Sequence, residues 1–169
     1  MRQNRKDINH WYFVFFVAFT LALVVLATCK AYAGPDRVSI LTNSDHIGFK
    51  YQGFNEQNLG LFLTWDNAIA PKVDLSVGGY LNSYAKPSLM VAATWLPIEV
   101  GQCEAGIFGG VVHYPITGRH EPTSIAGSDV IGMGGVQVIC GPIFVQAIPA
   151  ATDFSRAIVA FGITMEIEK

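Results

Sequence analysis

The side chains that could carry acid–base or metal chemistry are few in this sequence and widely spaced. Its four histidines are His10, His46, His113 and His120, and no spacing among them predicts a metal site. The sequence contains no phosphate-binding loop, no Gly-x-Gly-x-x-Gly dinucleotide fingerprint and no Gly-x-Ser-x-Gly nucleophile elbow. We therefore predict no metal and no cofactor, and none of these motifs indicates an enzyme class.

The composition is unusually apolar for a chain of this size. Its 169 residues are enough for one domain with a core, yet 51% are hydrophobic and only 14% are charged. A soluble domain typically carries about 25% charged residues. The formal net charge of −2 gives no basic patch, so we expect no nucleic-acid partner.

The first 33 residues have the pattern of an export signal. Arg2, Arg5 and Lys6 precede an apolar run at residues 11–28, and Ala31-Tyr32-Ala33 follows as a small-x-small cleavage site. We predict a signal helix at residues 1–33, cleaved after Ala33, and a β-barrel domain at residues 34–169. A retained transmembrane anchor is the alternative, because the apolar run approaches the length that spans a bilayer.

Alternating side chains predict an all-β fold for the rest of the chain. From residue 73 to residue 82, the odd positions are Val, Leu, Val, Gly and Leu, and the even positions are Asp, Ser, Gly, Tyr and Asn. This period of two is a strand signal, and short turns between such runs indicate antiparallel hairpins. We predict eight strands, at residues 37–50, 58–66, 72–82, 87–96, 102–113, 129–140, 142–149 and 156–167.

The connections between these strands alternate in length. Short turns are expected near residues 67–71, 97–101 and 140–142, and more polar loops near 51–57, 83–86, 114–128 and 149–155. An even number of strands, with short turns at one end and longer loops at the other, is typical of a bacterial outer-membrane barrel. We therefore predict an eight-stranded, antiparallel, up-and-down β-barrel in the outer membrane.

Apolar rows on three strands support a barrel that faces lipid. The rows are Leu59, Leu61, Leu63 and Trp65; Leu89, Val91, Ala93 and Trp95; and Val159, Phe161, Ile163, Met165 and Ile167. The two tryptophans are expected at the short-turn end, as an interfacial aromatic girdle requires. A soluble β-sandwich or lipocalin-like barrel with these rows inward is the alternative. The final residues, Glu-Ile-Glu-Lys, depart from the aromatic ending usual for outer-membrane strands.

Two cysteines remain after Ala33, and their positions predict a disulfide. Cys103 opens the fifth predicted strand and Cys140 closes the sixth, so an antiparallel pairing places both at the same end and on the outer face. Neighbouring strands lie about 4.8 Å apart, close to the Cα separation that a disulfide needs. An oxidising compartment favours the bond, and two free thiols are the alternative.

Several short motifs follow one another in an order found in one known family. They are Phe54-Asn55-Glu56, the strand containing Gly60, the hairpin tip Gly79-Tyr80-x-Asn82-Ser83, Trp95-x-Pro97 and Ala105-Gly106-x-Phe108-Gly109-Gly110-Val111. Over residues 44–150 this order resembles that of the lipid A palmitoyltransferase barrel and its distant relatives. The Asn-Ser-Tyr form of the tip is also similar to small barrel proteins encoded in phage and bacterial genomes.

The resemblance implies candidate catalytic residues. That family moves a palmitoyl chain from a phospholipid to lipid A, and it needs a histidine on the first strand or loop and an Asp-Ser pair. By position, the histidine is His46, the serine is Ser83, and Asn82 occupies the place of the aspartate. A carboxylate can stabilise a charged imidazole, whereas an amide cannot. The alternative interpretation is that Asn82 and Ser83 only form a turn.

Two hypotheses about function follow from these observations. The first is a small outer-membrane barrel with a structural or envelope-modifying role. The second is an active lipid A acyltransferase with His46 and Ser83 as base and nucleophile. Under both, the expected partners are membrane lipids, namely phospholipid and lipopolysaccharide, and we expect a monomer. A periplasmic barrel that binds a hydrophobic ligand in its lumen remains the third possibility.

Overall fold

The computed structural model describes residues 34–48, 53–152 and 155–168, and the predicted signal helix lies outside them. Within these residues, no helix has the length and apolar character needed to cross a membrane. Eight strands and a single turn of 3₁₀ helix at Gly118–His120 make up the secondary structure described there. The strands are β1 (Arg37–Ile47), β2 (Gly60–Ala70), β3 (Val73–Leu81), β4 (Pro87–Val100), β5 (Cys103–His113), β6 (Val130–Cys140), β7 (Ile143–Thr152) and β8 (Ser155–Glu166).

The eight strands form a closed barrel in chain order, so the predicted all-β barrel is confirmed. Every strand pairs antiparallel with its neighbours, and β1 closes the barrel against β8. Residues 71–72, 101–102 and 141–142 connect the strands at one end, which we call the turn end. Residues 48–59, 82–86, 114–129 and 153–154 connect them at the other end, which we call the loop end.

Four strand boundaries differ from the prediction by three or more residues. β1 ends at Ile47 instead of residue 50, while β2 and β4 continue to Ala70 and Val100. Trp65 and Trp95 therefore lie inside their strands, and the register shifts between Trp65 and Ala70 and between Trp95 and Ile98. At such an irregularity, a strand can include a residue that does not fit the regular pattern of ladder hydrogen bonds. Pro97 is such a residue, because it has no main-chain N–H to donate. β7 continues through Pro149 to Thr152 in the same way, so the expected loop at 149–155 is only residues 153–154.

The outer surface of the barrel carries the apolar rows. Leu59 and Leu89, at the loop-end side of two rows, are 59% and 68% exposed. Leu61, Leu63, Val77, Ile107, Val136, Val138, Phe161, Ile163 and Met165 are also exposed on strands around the barrel. The alternative with these rows turned inward is wrong, because the lumen is filled by the opposite faces of the same strands.

The lumen is divided into a polar layer and an apolar layer. At the turn end, a small chamber of about 60 Å³ is lined by polar side chains, including Ser39, Thr64 and Gln137. There the Arg37 guanidinium bonds to the carboxylates of Asp66 and Asp74. Buried charge is tolerated when it is paired and hydrogen-bonded, as it is here.

Large apolar side chains fill the middle of the lumen. Phe62 packs on Tyr80 with ring centroids 6.1 Å apart, and Phe144 packs in the second of two buried clusters. A Cβ atom on Gly162 would lie 2.7 Å from the Phe144 ring, so glycine makes room for the ring there. These rings separate the polar chamber from the part of the lumen at the loop end.

Cys103 and Cys140 form a disulfide at the turn end. They are register partners on β5 and β6, and their Cα atoms are 4.1 Å apart. The bond closes a loop with a sequence separation of 37 residues, which includes residues 114–129 at the loop end. It thus fixes the register of the two strands from which that loop emerges.

Candidate functional site

A β-bulge in β1 turns His46 into the lumen. Arg37, Ser39 and Leu41 face inward at odd positions, but the register against β8 shifts between Leu41 and Asn43. After the shift the even positions face inward, and His46 pairs with Ile158 of β8 at the loop end. Bulges commonly re-aim side chains beside active sites. Without this bulge, the strand alternation would direct His46 outward.

His46 and Ser83 are in contact. The Nε2 atom of His46 lies 3.0 Å from the Oγ atom of Ser83, a hydrogen-bond distance, although 37 residues separate them. The Nδ1 atom of His46 is buried and has no hydrogen-bond partner in the described part of the chain. A neutral imidazole with its proton on Nδ1 can accept the Ser83 proton at Nε2. The pair therefore has the geometry of a nucleophile and its general base.

Asn82 holds the turn that presents Ser83. Its side chain is fully buried, and its Oδ1 accepts hydrogen bonds from the main-chain N–H groups of Tyr84 and Lys86 at 2.9 and 3.0 Å. Its Nδ2 donates to the Ser88 Oγ at 3.1 Å. The amide is thus occupied within residues 82–88. The structure brings His46 and Ser83 together and places Asn82 behind them, in a turn.

The Phe54-Asn55-Glu56 motif packs directly on the pair. The Phe54 ring stacks on the His46 imidazole with centroids 4.3 Å apart and planes 16° apart. The main-chain N–H of Asn55 donates to the Ser83 carbonyl at 2.7 Å. The motif therefore fixes the plane of the imidazole and the position of the serine, two roles that its sequence did not predict.

A row of aromatic rings surrounds Ser83, and we call it the aromatic collar: His46, Phe54, Tyr84 and Tyr114. Phe54 meets Tyr84 edge-on at 5.8 Å, and Tyr84 meets Tyr114 edge-on at 6.0 Å. Edge-to-face pairs of this kind stabilise a fixed ring orientation. The Tyr114 hydroxyl lies within hydrogen-bonding reach of Ser83. No motif in the sequence pointed to Tyr114.

The pair lies at the mouth of a cavity of about 560 Å³ inside the loop end. Polar groups line the mouth, including His46, Ser83, His120 and Glu121. The rest of the lining is mostly apolar and includes Ile131, Met133, Ile148, Pro149, Ala150 and Ile158 with two glycines. A cavity of this size and character suits a small apolar ligand or a hydrocarbon chain.

The cavity lies beside a break in the barrel wall. β6 and β7 pair only from Val136 with Ala147 to Cys140 with Ile143, although both strands continue towards the loop end. Pro149 has no N–H to donate in this unpaired part of β7. Residues 123–125 cover part of the free β6 edge, since Gly132 N–H bonds to the Thr123 carbonyl and Ile125 N–H to the Val130 carbonyl. Residues 133–135 of β6 and 148–150 of β7 keep no ladder with each other.

The long loop over the cavity is held by an ion pair and contains a half-buried acid, Glu121. Two of the guanidinium nitrogens of Arg119, Nε and Nη2, donate hydrogen bonds to the Asp129 carboxylate, at 3.1 and 2.8 Å. These bonds lower the pKa of Asp129 to about 2. Burial raises the pKa of Glu121, and a hydrogen bond from the Tyr84 hydroxyl at 3.5 Å partly opposes that shift.

Within the described residues, no group of three or more His, Cys, Asp or Glu side chains could hold a metal ion. His113 and His120 do not join His46: His113 is exposed on β5, and His120 lies at the mouth of the cavity. Comparison of the chain with protein-family models and with curated protein sequences finds no match.

Proposed function

We propose that this protein is a lipid acyltransferase of the bacterial outer membrane, with Ser83 as nucleophile and His46 as general base. One observation carries the proposal: the 3.0 Å contact between Ser83 Oγ and His46 Nε2 at the mouth of a largely apolar cavity. A serine hydroxyl beside an imidazole can attack an ester, and the cavity offers a place for the acyl chain of that ester. The resemblance of the motifs to lipid A palmitoyltransferase supports the same substrate class.

The proposed reaction has two halves. Ser83 Oγ attacks the ester carbonyl carbon of a phospholipid while its proton passes to His46 Nε2. The bond between that carbon and the glycerol oxygen breaks, and His46 returns the proton to the departing lysophospholipid. A hydroxyl of lipid A then attacks the carbonyl carbon of the acyl-Ser83 ester and gives its proton to His46. The bond between that carbon and Ser83 Oγ breaks, His46 passes the proton to Oγ, and lipid A leaves with the acyl chain.

The absence of an aspartate at position 82 changes how His46 is held. In a triad, a carboxylate fixes the tautomer of the imidazole and stabilises its charged form. Here the Phe54 ring stacks on the imidazole, and Nδ1 lacks a partner among the described residues. The imidazole is positioned by packing, and it lacks a bonded carboxylate to stabilise its charge. We therefore expect slower turnover than a complete triad would give.

The membrane setting is supported by the surface and the wall of the barrel. The apolar outer rows match the lipid-facing band of small outer-membrane barrels. The unpaired stretch between β6 and β7 lies beside the cavity, where an acyl chain could pass between membrane and lumen. The disulfide agrees with an oxidising compartment such as the periplasm.

Mass analysis of lipid A from cells that express the protein tests the proposal. We expect one added acyl chain and release of lysophospholipid, both lost in Ser83→Ala and His46→Ala. Ser39→Ala and His113→Ala are matched controls, because Ser39 lies in the turn-end chamber and His113 is exposed on β5. Folded wild-type protein that leaves both lipids unchanged would contradict the proposal, as would full activity in Ser83→Ala.

A further inference from the structure

Ser83 has a second polar neighbour, the Tyr114 hydroxyl. Tyr114 and Ser83 line the same loop-end cavity, and the phenol interacts with both the side chain and the main chain of Ser83. His46 comes from β1, and Tyr114 directly follows β5, the strand opposite β1 in an eight-stranded barrel. The base and the phenol therefore reach Ser83 from different sides of the lumen.

The Tyr114 ring is held in place on several sides. The side chain is buried, its ring packs edge-on against Tyr84, and it lies in the same cluster as Val112 and Ile131. Its main-chain N–H donates to the Asp129 carbonyl at 2.6 Å. A catalytic hydrogen-bond donor is effective when it needs no reorganisation during the reaction, and these contacts provide that condition.

The phenol keeps its proton at neutral pH. Burial raises the pKa of Tyr114 to about 12, with hydrogen bonds to Ser83 opposing the shift. A protonated phenol can accept a bond from the Ser83 main-chain N–H and still donate its own proton to another oxygen. In the free protein, the Ser83 Oγ is hydrogen-bonded to His46 Nε2.

We propose that Tyr114 is a catalytic residue that donates a hydrogen bond to the oxyanion formed when Ser83 attacks the acyl ester. This inference rests on the proposed function. When Oγ bonds to the carbonyl carbon, the former carbonyl oxygen lies next to Oγ on that carbon and takes up negative charge. The phenol borders the same cavity as Oγ and neighbours Ser83, so it can direct its proton to this oxygen. The proton stays on Tyr114 throughout, and His46 carries the proton removed from Ser83.

The test uses an alkyl fluorophosphonate, which labels a reactive serine without any need for the natural lipid. Oγ forms a bond to phosphorus, fluoride leaves, and the Oγ proton departs through His46. The phosphoryl oxygen takes the place of the oxyanion. Intact mass spectrometry of the full chain in detergent micelles gives the rate of labelling, and Ser83→Ala identifies the labelled site. Heat-modifiable gel mobility reports whether each variant is folded.

We expect Tyr114→Phe to slow labelling and to lower kcat for acyl transfer by about 10²–10³-fold, the usual effect of removing one oxyanion donor. The KM is expected to stay within about threefold, because the interaction is made in the transition state. Tyr80→Phe is the matched control. It removes the same kind of hydroxyl from a ring that packs on Phe62 and does not line the loop-end cavity, and we expect it to leave the labelling rate within about threefold of wild type.

The outcomes separate the two proposals. Folded Tyr114→Phe with wild-type rates overturns the role of Tyr114 but leaves the function standing if Ser83→Ala and His46→Ala are inactive. Wild-type protein that is not labelled at Ser83 overturns both.

If Tyr114→Phe does not fold, 3-fluorotyrosine at position 114 keeps the ring and hydroxyl while lowering the phenol pKa. The pH above which the labelling rate falls, because the phenol loses its proton, must then be lower than in the wild type. An unchanged pH for this fall overturns the role of Tyr114.

Discussion

At the scale of single residues, the site depends on a few atoms whose partners come from distant parts of the chain. The Ser83 hydroxyl is hydrogen-bonded to the His46 imidazole, and the Ser83 carbonyl accepts a hydrogen bond from the Asn55 N–H. The Tyr114 phenol, which follows β5 in the chain, also interacts with Ser83. Asn82 contributes by satisfying main-chain groups of its own turn. Of the two roles that the sequence left open for the Asn-Ser dipeptide, the turn is observed at Asn82, and Ser83 has the contact with His46 that catalysis would require.

Asn82→Ala should disrupt this turn. The substitution removes the acceptor of the partly buried N–H groups of Tyr84 and Lys86, and a typical intramolecular hydrogen bond contributes about 0.5–1.5 kcal/mol. We expect a loss of that size in the free energy of unfolding, measured by denaturant titration in detergent, and a loss of Ser83 labelling.

Asn82→Asp is the informative comparison for that prediction. It retains an oxygen for the same two N–H groups, so it should keep the turn and most of the labelling rate. Equal stability losses for the Ala and Asp variants would show that the two N–H groups do not depend on the side chain at position 82.

At the scale of the elements, strand parity decides which small residues are needed. Gly109 and Gly110 are neighbours in β5 but face opposite sides of the wall. A Cβ on Gly110 would lie 2.7 Å from the Cα of Ala92, whereas a Cβ on Gly109 would have no atom within 4 Å. The lumen side of β5 is thus packed against β4, and the outer side is open.

This difference predicts opposite responses to one substitution. Gly110→Ala forces β4 and β5 apart and should destabilise the barrel by about 1–3 kcal/mol, the usual cost of overpacking. Gly109→Ala should be nearly neutral. Unfolding in denaturant after reconstitution into bilayers measures both, and similar losses for the two variants would contradict the assigned faces of β5.

The long loop at residues 114–129 has a pH dependence set by its ion pair. Because Arg119 lowers the pKa of Asp129 from its ordinary value to about 2, the pair supports the folded loop above the unfolded pKa, about 3.9. That support is lost as the pH falls through the folded value. Amide chemical shifts of residues 114–129, followed from about pH 5 to about pH 1, should report a titration with its midpoint near the folded pKa, about 2.

Asp129→Asn is the control for that titration. It removes the titrating group while keeping a side chain of similar shape, so the transition should disappear from the amide shifts. A transition that persists in the variant would assign the pH dependence to another group, such as Glu121 at the cavity mouth.

At the scale of the whole molecule, the barrel is polar at one end of the lumen, apolar around its outside and hollow at the loop end. The Arg37 cluster and the polar chamber occupy the turn end. The aromatic layer of Phe62, Tyr80 and Phe144 lies between this chamber and the loop-end cavity. The loop-end cavity therefore lies beside the stretch where β6 and β7 do not pair, and the aromatic layer lies between it and the turn end.

The outer surface gives a prediction about the membrane. Val77 is exposed near the middle of β3, between Leu63 of β2 and Val91 of β4. If lipid covers this surface, Val77→Arg should lower stability in bilayers by about 2–4 kcal/mol, the cost of a lipid-facing arginine near the midplane. Val77→Leu is the matched control and should be neutral. Equal stability of Val77→Arg and Val77→Leu in bilayers would show that lipid does not cover this face.

Local patterns in the sequence determined the architecture. A period of two in the side chains is set within each strand, so eight strands and the faces of their apolar rows could be predicted. The pairing of Cys103 with Cys140 was predictable for the same reason, since Cys103 begins β5, Cys140 ends β6, and antiparallel neighbours bring these two strand ends together at the turn end.

Only the tertiary structure decided the site. The bulge between Leu41 and Asn43 reverses the parity of β1, and nothing in the local pattern marks a single inserted residue. The contacts of Ser83 with His46 and Tyr114 exist only when β1 closes on β8 and the register of all eight strands is fixed. Such contacts depend on the summed geometry of the closed barrel, whereas the sequence of each strand encodes only its own alternation.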